Sequence, residues 1–223
     1  MSVFDDPGTA RRYEEGPPRL VPGYRDLQRM ALVLIKEKAP EDGRILVLGA
    51  GGGLELRLFA ESEPGWRLVG VDPAGQMLET AKTVMGPFAD HAELIEGTID
   101  AAPDGPFDAA TAILVFHFIP VAEKLSTLKA LRRRLKPGAP FVTSHFSLPR
   151  EPAKRDLWLD RYAAFGIGSG APPENMANAK QAIGATLPIV SPEEDEALLN
   201  QAGFSDISLF YVGFGFRGWV ATA

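Results

Sequence analysis

Apolar residues recur along this chain in two alternating rhythms. Over residues 24–38, Leu27, Met30, Ala31, Leu34 and Ile35 fall three and four apart, which predicts an amphipathic helix. Pro40 and Gly43 end it. The pattern then breaks into short, nearly continuous apolar runs divided by helical stretches. Residues 44–48, 67–71, 92–96, 107–115 and 139–145 read as five strands. Residues 54–62, 74–85 and 121–135 read as the helices between them, with Met77, Leu78, Ala81 and Val84 on one face of the second. Lys136-Pro137-Gly138 stops the third. Residues 1–20 are polar and interrupted by Pro7, Gly8, Gly16, Pro17 and Pro18, which leaves room for a short helix near 9–15 but no core element.

Strand and helix alternate through about a hundred residues, the signature of a parallel sheet with helices on both faces. Continuous apolar strands agree, because such strands are covered on both sides. Right-handed crossovers then lead to a Rossmann-like core. After Leu148 the alternation stops. Two helices, over 150–166 and 172–185, read as an insertion, and Trp158, Tyr162, Phe165 and Met176 suit it to lie over the carboxyl edge of the sheet as a lid. Its plainer reading is an outer helical layer or a dimer contact. Ser191-Pro192-Glu193-Glu194 opens a last helix with an N-cap serine, proline at the first position and acids in the first turn; Gly203 closes it. Residues 206–212 and 216–221 form a final strand pair that puts one antiparallel strand into the sheet. The expected fold is therefore α/β, a seven-stranded, mostly parallel Rossmann-like sheet with one antiparallel strand, helices on both faces and a helical lid. One domain spans 1–223: an N-terminal helical segment (1–42), a cofactor-binding core (43–148), the insertion (149–190), and the last helix and strand pair (191–223).

Composition narrows the function. The 223 residues are 45% hydrophobic and 23% charged, enough for a sizeable core. The net charge of -6 does not support a nucleic-acid partner, although Arg132-Arg133-Arg134 and Lys136 form a local basic group suited to a helix C-terminus. The chain has no cysteine, which excludes disulfides, thiolate metal sites and cysteine nucleophiles. No apolar run reaches membrane length and the first residues lack a signal-peptide pattern, so the expected location is cytoplasmic, with no membrane partner. Three scattered histidines without paired carboxylates make no metal site.

The chemistry lies at the strand ends. Gly49-Ala50-Gly51-Gly52-Gly53 follows the first strand and opens a helix. Glycines there allow positive φ and close approach of a ligand, and a helix N-terminus offers unpaired N–H groups. A tight turn with no ligand would read the same. Asp72 ends the second strand about twenty residues later, where a carboxylate can accept two ribose hydroxyls or merely cap the next helix. Together they point to a nucleotide-type cofactor. Leu54 breaks the G-x-G-x-x-G spacing of a dinucleotide fold.

From Arg44 to the C-terminus the chain resembles the class I S-adenosylmethionine-dependent methyltransferases. The resemblance rests on Leu46-Val47-Leu48-Gly49-Ala50-Gly51-Gly52-Gly53, Gly70-Val71-Asp72-Pro73-Ala74-Gly75-Gln76-Met77-Leu78, Glu96-Gly97-Thr98-Ile99, Phe107-Asp108, Leu131-x-x-x-Leu135-Lys136-Pro137-Gly138 and Ala202-Gly203-Phe204, in that order. It implies S-adenosylmethionine as cofactor and S-adenosylhomocysteine as product. Gly49, Ala50, Gly51 and Gly53 would pack against the amino-acid part, Asp72 would hold the ribose, Pro73 and Met77 would border the adenosine, and Thr98 and Ile99 would flank the adenine. Thr98 and Val47 stand where many relatives carry acids, the second of which supports the glycine loop and the methionine ammonium. Arg19-Leu20-Val21-Pro22-Gly23-Tyr24 and Phe214-x-Phe216 are similar to the carboxy-S-adenosylmethionine synthase family of tRNA wobble-uridine modification. That likeness makes Tyr24 a candidate cofactor contact, where its plainer reading is a helix-start aromatic packed on the core, and places Lys180 and Ile113 where that family has an arginine and an asparagine. Lysine keeps the charge but not the planar fork. Both departures favour ordinary S-adenosylmethionine over the carboxylated form.

The resulting expectation is methyl transfer to a small-molecule acceptor by in-line displacement, helped mainly by orientation. His117 and His145, after the fourth and fifth strands, are the candidate bases if the acceptor must lose a proton; each also reads as a histidine filling a pocket rim. His91 reads as a solvated loop residue. The alternatives are a carboxy-S-adenosylmethionine synthase-like enzyme and a cofactor-binding protein without transfer activity. A homodimer is compatible with all three.

Overall fold

A computed structural model describes residues 16–223 of the chain; the short helix expected near 9–15 lies outside them. Seven strands form one sheet in the order β3-β2-β1-β4-β5-β7-β6. They are β1 (Arg44–Leu48), β2 (Arg67–Asp72), β3 (Ala92–Glu96), β4 (Ala109–Ile113), β5 (Pro140–Phe146), β6 (Ser205–Gly213) and β7 (Phe216–Thr222). The first five pair in parallel, and β7 runs antiparallel between β5 and β6. This is the expected mostly parallel sheet with one reversed strand. The reversal follows from the short turn that joins β6 to β7, since a hairpin cannot connect parallel neighbours.

Eight α-helices accompany the sheet among the described residues: α1 (Gly16–Leu20), α2 (Tyr24–Lys36), α3 (Leu54–Ser62), α4 (Gly75–Met85), α5 (Val121–Arg133), α6 (Pro152–Gly168), α7 (Pro173–Thr186) and α8 (Pro192–Ala202). Two cores result, one on each face. Val47, Ile113, Val142 and Phe146 face the layer that contains Leu27, Leu56, Phe59 and Tyr162. Leu46, Val71, Ala110 and Phe141 face the layer that contains Leu128, Leu131, Leu199 and Phe204. The capping box at α8 is complete: the Ser191 side chain accepts from the Glu194 N–H and the Glu194 carboxylate accepts from the Ser191 N–H.

One expectation is corrected. The strand expected over 107–115 is shorter, Ala109–Ile113, because Leu114 takes a left-handed φ of 63° and turns the chain out of the sheet. Phe107 instead makes an isolated bridge with Leu135. The α6–α7 hairpin packs against the carboxyl end of β5 and the start of β7. Tyr162 meets Phe146 and Phe216 edge-on at ring distances of 5.2 and 5.9 Å, and Phe165 meets Phe214 at 5.7 Å. A Cβ on Gly166 would strike Met176, so the two helices of the hairpin approach closely there.

Candidate functional site

The carboxyl ends of β1, β2 and β4 open into a cavity of about 900 Å³. Such an edge is where open α/β sheets bind ligands. Its walls are the glycine turn after β1, the Asp72-Pro73-Ala74 corner after β2, residues 97–100 after β3, residues 113–120 after β4, and one face of α5.

The turn after β1 is built by glycines that need their lack of a side chain. Gly49 has φ 70°, and a Cβ there would come within 2.2 Å of Val115 Cγ2. Gly53 has φ 83°, and its Cβ would strike the backbone of Ala81 on α4. Gly53 thus secures helix packing, and neither it nor Ala50 lines the cavity; Gly49 and Gly51 do. The N–H groups of the turn are committed. Gly49 and Ala50 both donate to Val71 O, Gly51 donates to Asp72 Oδ2 at 2.9 Å, and Gly53 donates to Ala50 O. These four N–H groups are engaged within the turn; the unpaired donors expected at the helix N-terminus beyond it are a separate set, on α3.

Asp72 also accepts from the Ala74 N–H at 2.9 Å through Oδ1. Each carboxylate oxygen therefore keeps acceptor capacity toward the cavity. Burial pushes its pKa up, and the two N–H groups hold that rise back. Pro73, Met77, Thr98 and Ile99 line the cavity around Asp72, and Ile113 lines it from β4. Further along, Leu114, Val115, Phe118, Ile119 and Pro120 make an apolar wall, while Glu123, Lys129 and Arg133 of α5 make a charged rim.

Four expected site residues lie elsewhere. Tyr24 is buried at the start of α2, and its hydroxyl accepts from the Gln28 side-chain amide at 2.9 Å. Lys180 pairs with Asp160 within the α6–α7 hairpin. His117 is buried, and its Nδ1 accepts the Phe146 N–H at 3.2 Å. Burial holds its pKa well below the usual imidazole range, with the charges of His145 and Lys124 acting in the same direction. His145 is buried against Phe116 and Trp219, with Nε2 3.0 Å from Asp195 Oδ1. Neither histidine lines the cavity, because residues 114–120 present Phe118 and Ile119 to it and turn Phe116 and His117 into the core. Lys124 anchors the inward side of that segment by donating to Phe116 O.

The buried ionisable residues that the sequence did not lead us to anticipate include Lys124 and Asp195, described above, and Glu55. Glu55, in the first turn of α3, is only 6% exposed. Acids are common in first turns for reasons of the helix dipole, which hides it from sequence reading. Its spacing from Phe59, four residues on and on the buried face, is the signal that would have found it.

With this geometry in hand, the comparisons with known proteins are specific about fold. A family described as "Methyltransferase domain" matches residues 46–141. The carboxy-S-adenosyl-L-methionine synthase of Pseudomonas fluorescens (strain SBW25) is 26% identical over 212 residues, covering 91% of this chain and 85% of that protein. The enzyme of the same name from Pseudomonas paraeruginosa (strain DSM 24068 / PA7) is 28% identical over 229 residues, covering 98% and 90%. Among solved structures, a SAM dependent methyltransferase from Aquifex aeolicus superposes with a TM-score of 0.64 at 19% identity, covering 97% of this chain and 98% of that one. Human N-acetylserotonin methyltransferase in complex with SAM gives 0.58 at 17% identity, covering 95% of this chain and 57% of the human chain.

Proposed function

We propose, for a chain whose fold is that of the class I S-adenosylmethionine-dependent methyltransferases, that it transfers a methyl group from S-adenosylmethionine to a small-molecule acceptor. The observation that carries this reading is Asp72. Its carboxylate ends β2, is fixed by the Gly51 and Ala74 N–H groups, and retains lone pairs facing the cavity. Gly49 and Gly51, whose N–H groups are engaged within the turn, suit a ligand that needs close approach there. Gly49 and Gly51 would lie along the amino-acid part, Asp72 would hold the ribose, and Pro73, Met77, Thr98 and Ile99 would border the adenosine. Ile113 would close the inner end.

When bound, this cofactor supplies a sulfonium methyl that passes to an acceptor lone pair by in-line displacement, with S-adenosylhomocysteine leaving. The chain's own contribution is orientation and exclusion of water by the apolar wall from Leu114 to Pro120. The buried, engaged positions of His117 and His145 give them a structural role in this scheme.

The test is calorimetry with S-adenosylmethionine and S-adenosylhomocysteine, followed by turnover assays on an acceptor panel. No binding of either ligand overturns the reading; binding without turnover on any acceptor favours a cofactor-binding protein. The second reading, a carboxy-S-adenosylmethionine synthase-like activity, is favoured by the near full-length likeness to enzymes of that name. It predicts tighter binding of the carboxylated cofactor, lost on Lys180→Ala. The pairing of Lys180 with Asp160 weighs against it.

A further inference from the structure

Among the described residues, Glu55 is a buried carboxyl with no ionic partner. Unlike the buried cations Lys124 and Arg134, which donate to backbone carbonyls, it has one oxygen with no hydrogen-bond partner among those residues. It is the second residue of α3, directly after the glycine turn. Its neighbour across the sheet is Thr111 on β4, which stands in register with Val47 on β1, two residues before Gly49. Parallel pairing puts Val47, Thr111, Ile113 and Ser144 on one face. Glu55 Oε1, Thr111 Oγ1 and Ser144 Oγ are all buried there without a hydrogen-bond partner among the described residues. A buried acceptor left unmade costs stability, roughly 1–3 kcal/mol. Such a cost is tolerated where the group has another use.

We infer that Glu55 is a positioning residue: its carboxyl, held beneath the glycine turn, is the counter-charge for the cationic amino-acid end of the ligand that lies above the turn. The inference rests on the cofactor reading above and adds a residue that does not itself line the cavity. In the low-dielectric space under the turn a carboxylate is felt over several ångströms, because little water screens it. Burial lifts the Glu55 pKa to about 7, and only the Thr111 hydroxyl opposes this. The charged groups on the elements around α3 are engaged elsewhere. Arg57 pairs with Glu61, Lys82 with Glu79 and Lys36 with Glu63; Asp90 and His91 lie toward the surface; Asp72 faces the cavity with its two N–H donors. An arriving ammonium or sulfonium is then the group that favours the ionised form of Glu55. Binding near neutrality must release a proton, and affinity must rise with pH until the free protein is already ionised.

The experiment is calorimetric binding to the full chain in two buffers of different ionisation enthalpy, at pH 6, 7 and 8. S-adenosylmethionine and S-adenosylhomocysteine, which both carry a cationic α-ammonium beside an α-carboxylate, are the cationic ligands in this sense; 5′-methylthioadenosine, which lacks the amino-acid end, is the control without that ammonium. Expected are net proton release near pH 7 with both cationic ligands, none with the control, and about tenfold tighter binding of the cationic ligands at pH 8 than at pH 6. Glu55→Gln, close in shape, is expected to abolish the release and flatten the profile while leaving the control's affinity unchanged. Binding of the cationic ligands without proton release in the unaltered protein overturns the inference and leaves the cofactor reading standing. Equal release with 5′-methylthioadenosine also overturns it. Absence of binding by all three ligands overturns both.

Discussion

Asp72 Oδ2 accepts the Gly51 N–H at 2.9 Å, so one carboxylate ties the end of β2 to the turn that follows β1. Removing it has two consequences. Asp72→Ala is expected to weaken S-adenosylhomocysteine binding more than tenfold, from two lost ribose hydrogen bonds of about 1.5 kcal/mol each. It also frees the Gly51 and Ala74 N–H groups, for a Tm lower by about 2–4 °C. An unchanged dissociation constant in calorimetry would sink the proposed ribose role.

Gly49→Ala meets both an unfavourable φ of 70° and Val115 Cγ2 at 2.2 Å. The expected cost is about 3 kcal/mol, or about 10 °C in Tm by scanning calorimetry. Val115→Ala in the same chain should recover part of that loss by relieving the clash, leaving the backbone strain. If the double variant is no more stable than the single, the steric account is wrong.

His117 is buried and its pKa lies well below the usual value of 6.5. The unfolded chain therefore binds a proton that the folded chain refuses as pH falls below about 6.5, and stability is lost on that side. His117→Gln should flatten the fall of Tm between about pH 6.5 and pH 5, while leaving cofactor affinity at pH 8 unchanged. A large loss of affinity there would return this histidine to the binding site.

Glu55 has the opposite sign. Its pKa rises from 4.5 in the unfolded chain to about 7 in the folded one, so the folded state binds the extra proton between these values. Its contribution to stability is full below about pH 4.5 and is lost as pH rises through 7. Glu55→Gln should raise stability at pH 8 by about 3 kcal/mol, and Tm with it, and have little effect at pH 4.5. Thermal melts at both values check this, and a lower Tm at pH 8 would contradict it.

Most of the sheet was readable from apolar runs because β1 beyond Arg44, β4 and β5 are buried, and β1 and β4 are apolar almost throughout. Asp72 was readable because a strand end followed by proline places it without knowledge of the rest. The less legible features depend on contacts between distant segments. Prolines 17 and 18 look like breakers, yet they sit in the first turn of α1, where no N–H is needed. Leu114 gives no sign of a left-handed backbone, since leucine rarely adopts one. The side on which α6 and α7 pack is decided by Tyr162, Phe146 and Phe216 meeting across about seventy residues, a pairing that helical periodicity does not encode. For the same reason the histidines looked like rim residues: strand ends locate a residue along the edge, and only the turn at 114–120 decides which way it points.

None of the residues that line the cavity comes from the α6–α7 hairpin. That separates two evolutionary variables. Substitutions in the hairpin act first on its contacts with Phe146, Phe214 and Phe216, none of which takes part in the Asp72–Gly51 hydrogen bond. Descendants of such a chain can diverge in what the hairpin meets while inheriting one unaltered cavity, so the hairpin is the natural place for chimeras between relatives to be joined.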